Sequence, residues 1–134
     1  MNFSVEHIGI PAADPVTLRN WYVCVLGARS VWDNGQTPPS FLMALAGDTM
    51  LEIYPANREL NLGRGDNQLA GFRHVALRVD SIEAARAELT KRGVKSDEET
   101  RPAAGDGKVL FFEDGEGNLL HLVERPVNWQ PGKA

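Results

Sequence analysis

RHVALRVDSIEAARAELTKRGV, residues 73–94, holds a complete strand, turn and helix, and the chain carries the same plan once before. In HVALRV the aliphatic Val75, Leu77 and Val79 alternate with His74, Ala76 and Arg78, the period of a half-buried strand. Asp80 precedes the next apolar run with Glu83 three residues on, which reads as a capping pair. Ile82, Ala85 and Leu89 then share one helical face, and Gly93 closes the helix. Residues 6–28, EHIGIPAADPVTLRNWYVCVLGA, match this step by step. Asp14 suits the N-cap and Pro15 the first helical position, and Leu18, Trp21, Tyr22, Val25 and Leu26 form one buried stripe that ends at Gly27. His7 and His74 lie 67 positions apart, and Gly27 and Gly93 lie 66 apart, so the chain reads as two halves of one design.

After each helix the period switches from helical to alternating. SVWD (30–33), FLMALAG (41–47) and TMLEIYP (49–55) read as strands of the first half. KVLFFED (108–114) and NLLHLVER (118–125) read as strands of the second, joined by the hairpin signal DGEGN. Each half is therefore β-α-β-β-β, and the expected class is α+β: two βαβββ modules whose curved mixed sheets form a pair of half-barrels. We place module 1 at about 1–60, a glycine-rich connector at about 57–71, module 2 at about 72–126 and a tail at 127–134, all within one domain spanning 1–134. Trp129 is the residue expected to hold the tail.

With 134 residues, 43% of them hydrophobic, the chain can bury one core of respectable size. The formal charge of -4 comes from mixed acidic and basic residues with no basic run, so no nucleic-acid partner is expected. No stretch approaches the roughly 20 apolar residues of a membrane span, and MNFSVEHIGIP lacks the pattern of a signal peptide, so a cytoplasmic location and no membrane partner are expected. Cys24, the single cysteine, sits in the apolar WYVCVLG and is expected to be buried as a small hydrophobe. Trp21 and Trp32 are expected to pack, and Glu113 and Glu124, near strand ends, to face water.

Strand parity then separates the polar residues from the aliphatic ones. Ile8 and Ile10 share one face and His7 takes the other. Leu51 and Ile53 oppose Glu52, and Leu120 and Leu122 oppose His121. A strand histidine taken alone is more often a hydrogen-bonded residue than a ligand. Here all three histidines of the chain, together with Glu52, occupy the first and last strands of the two halves. Three imidazoles and a carboxylate converging on one cavity would make a metal site for Zn²⁺, Ni²⁺, Co²⁺, Mn²⁺ or Fe²⁺.

At these residues the sequence resembles the vicinal oxygen chelate superfamily, which includes glyoxalase I, fosfomycin-resistance proteins, extradiol dioxygenases and bleomycin-resistance proteins. HIGIP and WYVCVLGA are similar to the opening strand and helix of that family, residues 74–94 to its second copy, and FFEDGEGNLLHLVE to its closing hairpin. The resemblance implies His7, Glu52, His74 and His121 as metal ligands, a homodimer, and a small-molecule substrate whose vicinal oxygens chelate a divalent cation. Where many family enzymes carry a glutamate, this chain has His121. Four protein ligands leave two open positions only on a six-coordinate ion, and Glu52 is the one carboxylate able to serve as both ligand and general base.

Three functions follow from the resemblance. One is a metal-dependent lyase or isomerase of glyoxalase type acting on a small carbonyl compound. Another is an Fe²⁺ extradiol-type dioxygenase in which two histidines and Glu52 form the facial triad. The third is a non-enzymatic protein that binds an antibiotic or metabolite. Arg78 and Tyr54 are secondary candidates for substrate contact, and NGQTPPS (34–40) with NRELNLGRGDNQ (57–68) are the stretches expected to choose the substrate.

Overall fold

A computed structural model describes residues 1–58 and 65–131. The elements are β1 (His7–Ala12), α1 (Pro15–Leu26), β2 (Arg29–Asp33), β3 (Phe41–Ala44), β4 (Met50–Pro55), β5 (Val75–Arg78), α2 (Ile82–Lys91), β6 (Arg101–Ala103), β7 (Gly107–Glu113) and β8 (Leu119–Glu124). This is an α+β fold built twice from β-α-β-β-β, as the duplicated pattern predicts. Within the second half the short strand β6 carries no periodic signal of its own. Residues 59–64 of the connector and 132–134 of the tail lie outside the described residues, and so does half of the expected substrate-choosing stretch 57–68.

The chain divides into a first unit, Met1–Leu62 with Asp114–Glu116, and a second, Gly63–Glu113 with Gly117–Ala134. Each holds one open four-stranded mixed sheet, in the order β1-β4-β3-β2 in the first and β5-β8-β7-β6 in the second. The last strand of each unit, β4 or β8, pairs in parallel with the opening strand and antiparallel with its other neighbour. A parallel pair requires a crossover, which α1 or α2 begins in each unit.

In the first unit α1 lies against the sheet through Leu18, Tyr22 and Val25, which are buried with Phe41, Met43, Leu51 and Ile53. Burying a side chain of this size contributes about 1.5–3 kcal/mol. The helix begins as expected. The Asp14 carboxylate accepts from Thr17 N–H at 3.0 Å and Thr17 Oγ1 at 2.7 Å, and those bonds hold its pKa below the usual range. Glu116 accepts from the Ala13 and Asp14 amides at 2.8 and 2.9 Å. Gly27 ends the helix in the left-handed region, φ 69°. Tyr22, wholly buried, donates its hydroxyl to Asp114 at 2.8 Å. Burial, together with the Asp114 charge and that bond, pushes its pKa far up.

Four expectations fail here. Ser81, not Asp80, caps α2, its Oγ accepting from Ala84 N–H at 3.2 Å. Cys24 is exposed, because it stands about 200° around the helix from buried Tyr22. Trp32 is half exposed, on the edge strand β2, every residue of which is exposed. Glu124 does not simply face water: its carboxylate accepts from Ile82 N–H at 2.8 Å at the start of α2 and lies 3.6 Å from Lys108 Nζ. Glu113 is exposed as expected, and the tail is held through Trp129, whose ring lies 4.5 Å from the Arg125 guanidinium carbon. Among the described residues no helix is long and apolar enough to cross a membrane.

Candidate metal-ligating site

Register places the expected ligands at equivalent points of the two sheets. In the first unit Glu52 lies opposite Gly9, two residues beyond His7; in the second His121 lies opposite Ala76, two residues beyond His74. Neighbours across paired strands share a face. A small residue therefore stands beside the second polar group in each sheet. At Gly9 an added Cβ would come 3.2 Å from the Tyr54 ring.

In the first unit His7 Nε2 is 3.6 Å from a Glu52 carboxylate oxygen, and His7 Nδ1 contacts Glu6. The Glu6 hydrogen bond raises the His7 pKa; desolvation opposes it, and the Glu6 and Glu52 charges assist it. Two donors about 2.1 Å from one ion stand roughly 3.0–3.4 Å apart, so the His7 and Glu52 separation is close to that of two neighbouring ligands.

The second unit contains a histidine cluster. The His74 and His121 rings meet edge to face, with centroids 4.4 Å apart, and Phe111 stacks on His121 at 5.0 Å with 15° between planes. His74 Nδ1 lies 2.8 Å from Asn67 Oδ1, which accepts its proton and leaves Nε2 available. His121, only 7% exposed, has no hydrogen-bond partner at either ring nitrogen among the described residues. Burial pushes its pKa down to about 4, helped by the His74 charge and then the Arg125 guanidinium, so the imidazole is neutral at pH 7. Each unpartnered buried polar atom costs about 1–3 kcal/mol. A neutral imidazole nitrogen with no protein donor or acceptor is suited to a cation, so the donor set fits a divalent metal.

Thus the structure brings the four expected residues together as two pairs, His7 with Glu52 and His74 with His121. Among the described residues no three or more His, Cys, Asp or Glu side chains form a group that could hold a metal ion. Glu6, Asn67 and Phe111, which orient the histidines, were not anticipated. Glu6 adjoins His7 and was within reach of a sequence reading, whereas Asn67 lies in a connector with no periodic signal. Tyr54 packs over Gly9, and Arg78 is exposed on the face of β5 that carries Ala76 by strand parity.

Known proteins share this arrangement of sheets. The family model of the Glyoxalase/Bleomycin resistance protein/Dioxygenase superfamily matches residues 4–122. The chain belongs to this superfamily. A glyoxalase family protein from Enterococcus faecalis is 28% identical, with a TM-score of 0.75 over 90% of this chain and 97% of that one. TnmS3, an antibiotic-binding protein from a Streptomyces species, is 24% identical with a TM-score of 0.71, covering 94% of this chain and 99% of its own. A point mutant of the fosfomycin resistance protein FosX of Listeria monocytogenes, complexed with Mn(II) and 1S,2S-dihydroxypropylphosphonic acid, is 17% identical with a TM-score of 0.68, covering 95% of this chain and 94% of its own. The last two likenesses concern the fold alone. A metal-bound resistance protein and an antibiotic binder thus share this fold.

Proposed function

We propose that this superfamily member is a metal-dependent lyase or isomerase of glyoxalase type, with His7, Glu52, His74 and His121 as the ligands of a divalent cation. The observation that carries the reading is His121: buried, held neutral, with both ring nitrogens lacking a hydrogen-bond partner among the described residues, beside a second imidazole. Hydrogen bonding by Asn67 fixes the His74 tautomer, and Glu6 does the same for His7. A bound divalent ion supplies Lewis acidity toward two vicinal oxygens of a small carbonyl substrate. Glu52, half-buried, is the side chain that takes up or returns a proton at the substrate carbon. Phe111, stacked on His121, keeps that imidazole from turning and walls it from water.

Elemental analysis of the purified protein after supplementation with Ni, Co, Mn, Fe or Zn tests this, followed by a screen of each form against methylglyoxal–thiol adducts, fosfomycin and catechols. The expected result is one ion per chain and turnover without oxygen uptake. Turnover with oxygen uptake assigns the dioxygenase chemistry instead. Ligand binding with no stoichiometric ion assigns a binding protein and ends the enzyme reading.

A further inference from the structure

The second unit concentrates arginines on the face of its sheet that carries His121. Register aligns Arg78, Val123, Val109 and Arg101 in one row across β5, β8, β7 and β6, beside the row of Ala76, His121 and Phe111. Arg125, two residues beyond Val123, continues that face. Arg101 is engaged by Glu98 at 2.8 Å. The other two lack such a partner: among the described residues neither Arg78 nor Arg125 forms an ion pair with a carboxylate, and both guanidiniums approach one indole ring, Trp129, at 5.8 and 4.5 Å. Glu124, the acidic residue next to Arg125, pairs in register with Lys108 and so belongs to the opposite face.

Arg125 is held in position by its surroundings. Its Nη1 donates to the Ala104 carbonyl oxygen. A Cβ at Gly105 would come 2.9 Å from that nitrogen and 3.1 Å from Trp129 Nε1, and one at Gly107 would come 3.1 Å from it. Glycine at both positions leaves the space the guanidinium and the indole occupy. Two like charges gathered at one indole repel each other, and they stand together in a chain whose net charge is -4. An anion bound by both would relieve that repulsion, and a planar carboxylate matches a guanidinium fork with two parallel hydrogen bonds.

We propose that Arg78 and Arg125, braced by Trp129, form a carboxylate-binding subsite, so that the substrate is a small carbonyl compound bearing a carboxylate. As a statement about the substrate this rests on the proposed function; as a binding site it stands on the second unit alone.

The test is a two-dimensional NMR titration of the full chain with succinate, and with succinamide as its uncharged counterpart, in metal-free and Co²⁺-loaded protein. Trp129 reports, with Trp21 and Trp32 as internal controls. Saturable movement of the Trp129 indole N–H by succinate and not by succinamide is expected, with affinity falling about 10-fold or more in Arg78→Gln and Arg125→Gln and changing less than about twofold in Lys91→Gln. No saturable shift at Trp129, an equal response to succinamide, or an equal loss in Lys91→Gln overturns the subsite. If Arg125→Gln does not fold, Arg78→Gln, on an exposed side chain, decides the matter. Succinate binding in a protein that takes no Co²⁺ supports the subsite and removes the proposed function; stoichiometric Co²⁺ without succinate binding does the reverse.

Discussion

The strands β4 and β8 hold the same place in the repeat and differ in one respect that governs their chemistry. On β4, Leu51 and Ile53 are buried while Glu52 keeps partial exposure, so one face of the strand is closed and the other open. On β8 five consecutive residues from Leu119 to Val123 are buried, so both faces are closed. A half-open position accommodates a carboxylate, and Glu52 occupies it. A closed position penalises charge, and His121 occupies it as a neutral ring. Equivalent topology thus yields a carboxylate donor in one unit and a neutral imidazole donor in the other.

The largest effect that can break this comparison is the removal of one donor from each pair. Glu52→Gln is expected to lower kcat by about 10²–10⁴-fold, and His121→Ala to weaken ion binding more than Asn67→Ala does, which as an orienting contact costs about 10–100-fold. Isothermal titration with Co²⁺ and steady-state assays on the active metal form read both. Full metal affinity in His121→Ala would confine the ion to the first unit and leave the buried imidazole without a role.

A pH series on chelated protein sharpens the contrast between the two settings. The folded His121 pKa of about 4 lies below the ordinary 6.5, so between those values the unfolded chain binds a proton that the folded chain refuses. Stability is therefore full above about pH 6.5, declines as pH falls, and stops declining from this source near pH 4, a loss of up to about 3 kcal/mol. Urea melts at pH 7 and 4.5 should show it in wild type and not in His121→Leu. His7 shifts the other way, but it is exposed and contributes little to such a curve.

Glycine substitutions compare the two sheets at smaller amplitude. A Cβ at Gly107 would lie 2.6 Å from the Glu124 carbonyl oxygen, a backbone atom that cannot yield without disturbing the β7–β8 pairing. Gly107→Ala should cost about 1–3 kcal/mol. At Gly9 the obstacle is the edge of the Tyr54 ring, a side chain able to turn, so Gly9→Ala should cost less than about 1 kcal/mol. Thermal denaturation of both variants gives the order, and a reversed order would mean that Tyr54 is locked.

What could be read without coordinates follows the same division between local and non-local causes. The duplicated plan, both helices, seven of the eight strands and the parity of His7, Glu52, His74 and His121 were legible because period and spacing are properties of neighbouring residues. The burial of β8 on both faces was partly legible in Leu119, Leu120, Leu122 and Val123, which flank His121 with apolar residues of both parities. The contact of Glu124 with the start of α2 was not, since it joins residues 42 positions apart. Asn67 was hidden for the same reason: nothing around it alternates, and its role exists only once His74 is beside it. Cys24 shows the converse, an apolar residue in an apolar stretch that the helical angle nevertheless turns outward.

The start of α2 supplies the smallest test. Asp80 and Ser81 are adjacent, both are good capping residues, and sequence favoured the former because Glu83 completes a capping pair with it. The structure uses Ser81, which accepts from Ala84 N–H, while Glu124 takes Ile82 N–H. The start of α1 is served likewise by a local cap, Asp14, and a distant carboxylate, Glu116. If the two helices begin by the same device, Ser81→Ala should lower stability by about 1 kcal/mol and Asp80→Ala by only a few tenths. Equal losses in chemical denaturation would mean that Asp80 shares the cap in solution, and the likeness between the two helix starts would then rest on their distant carboxylates alone.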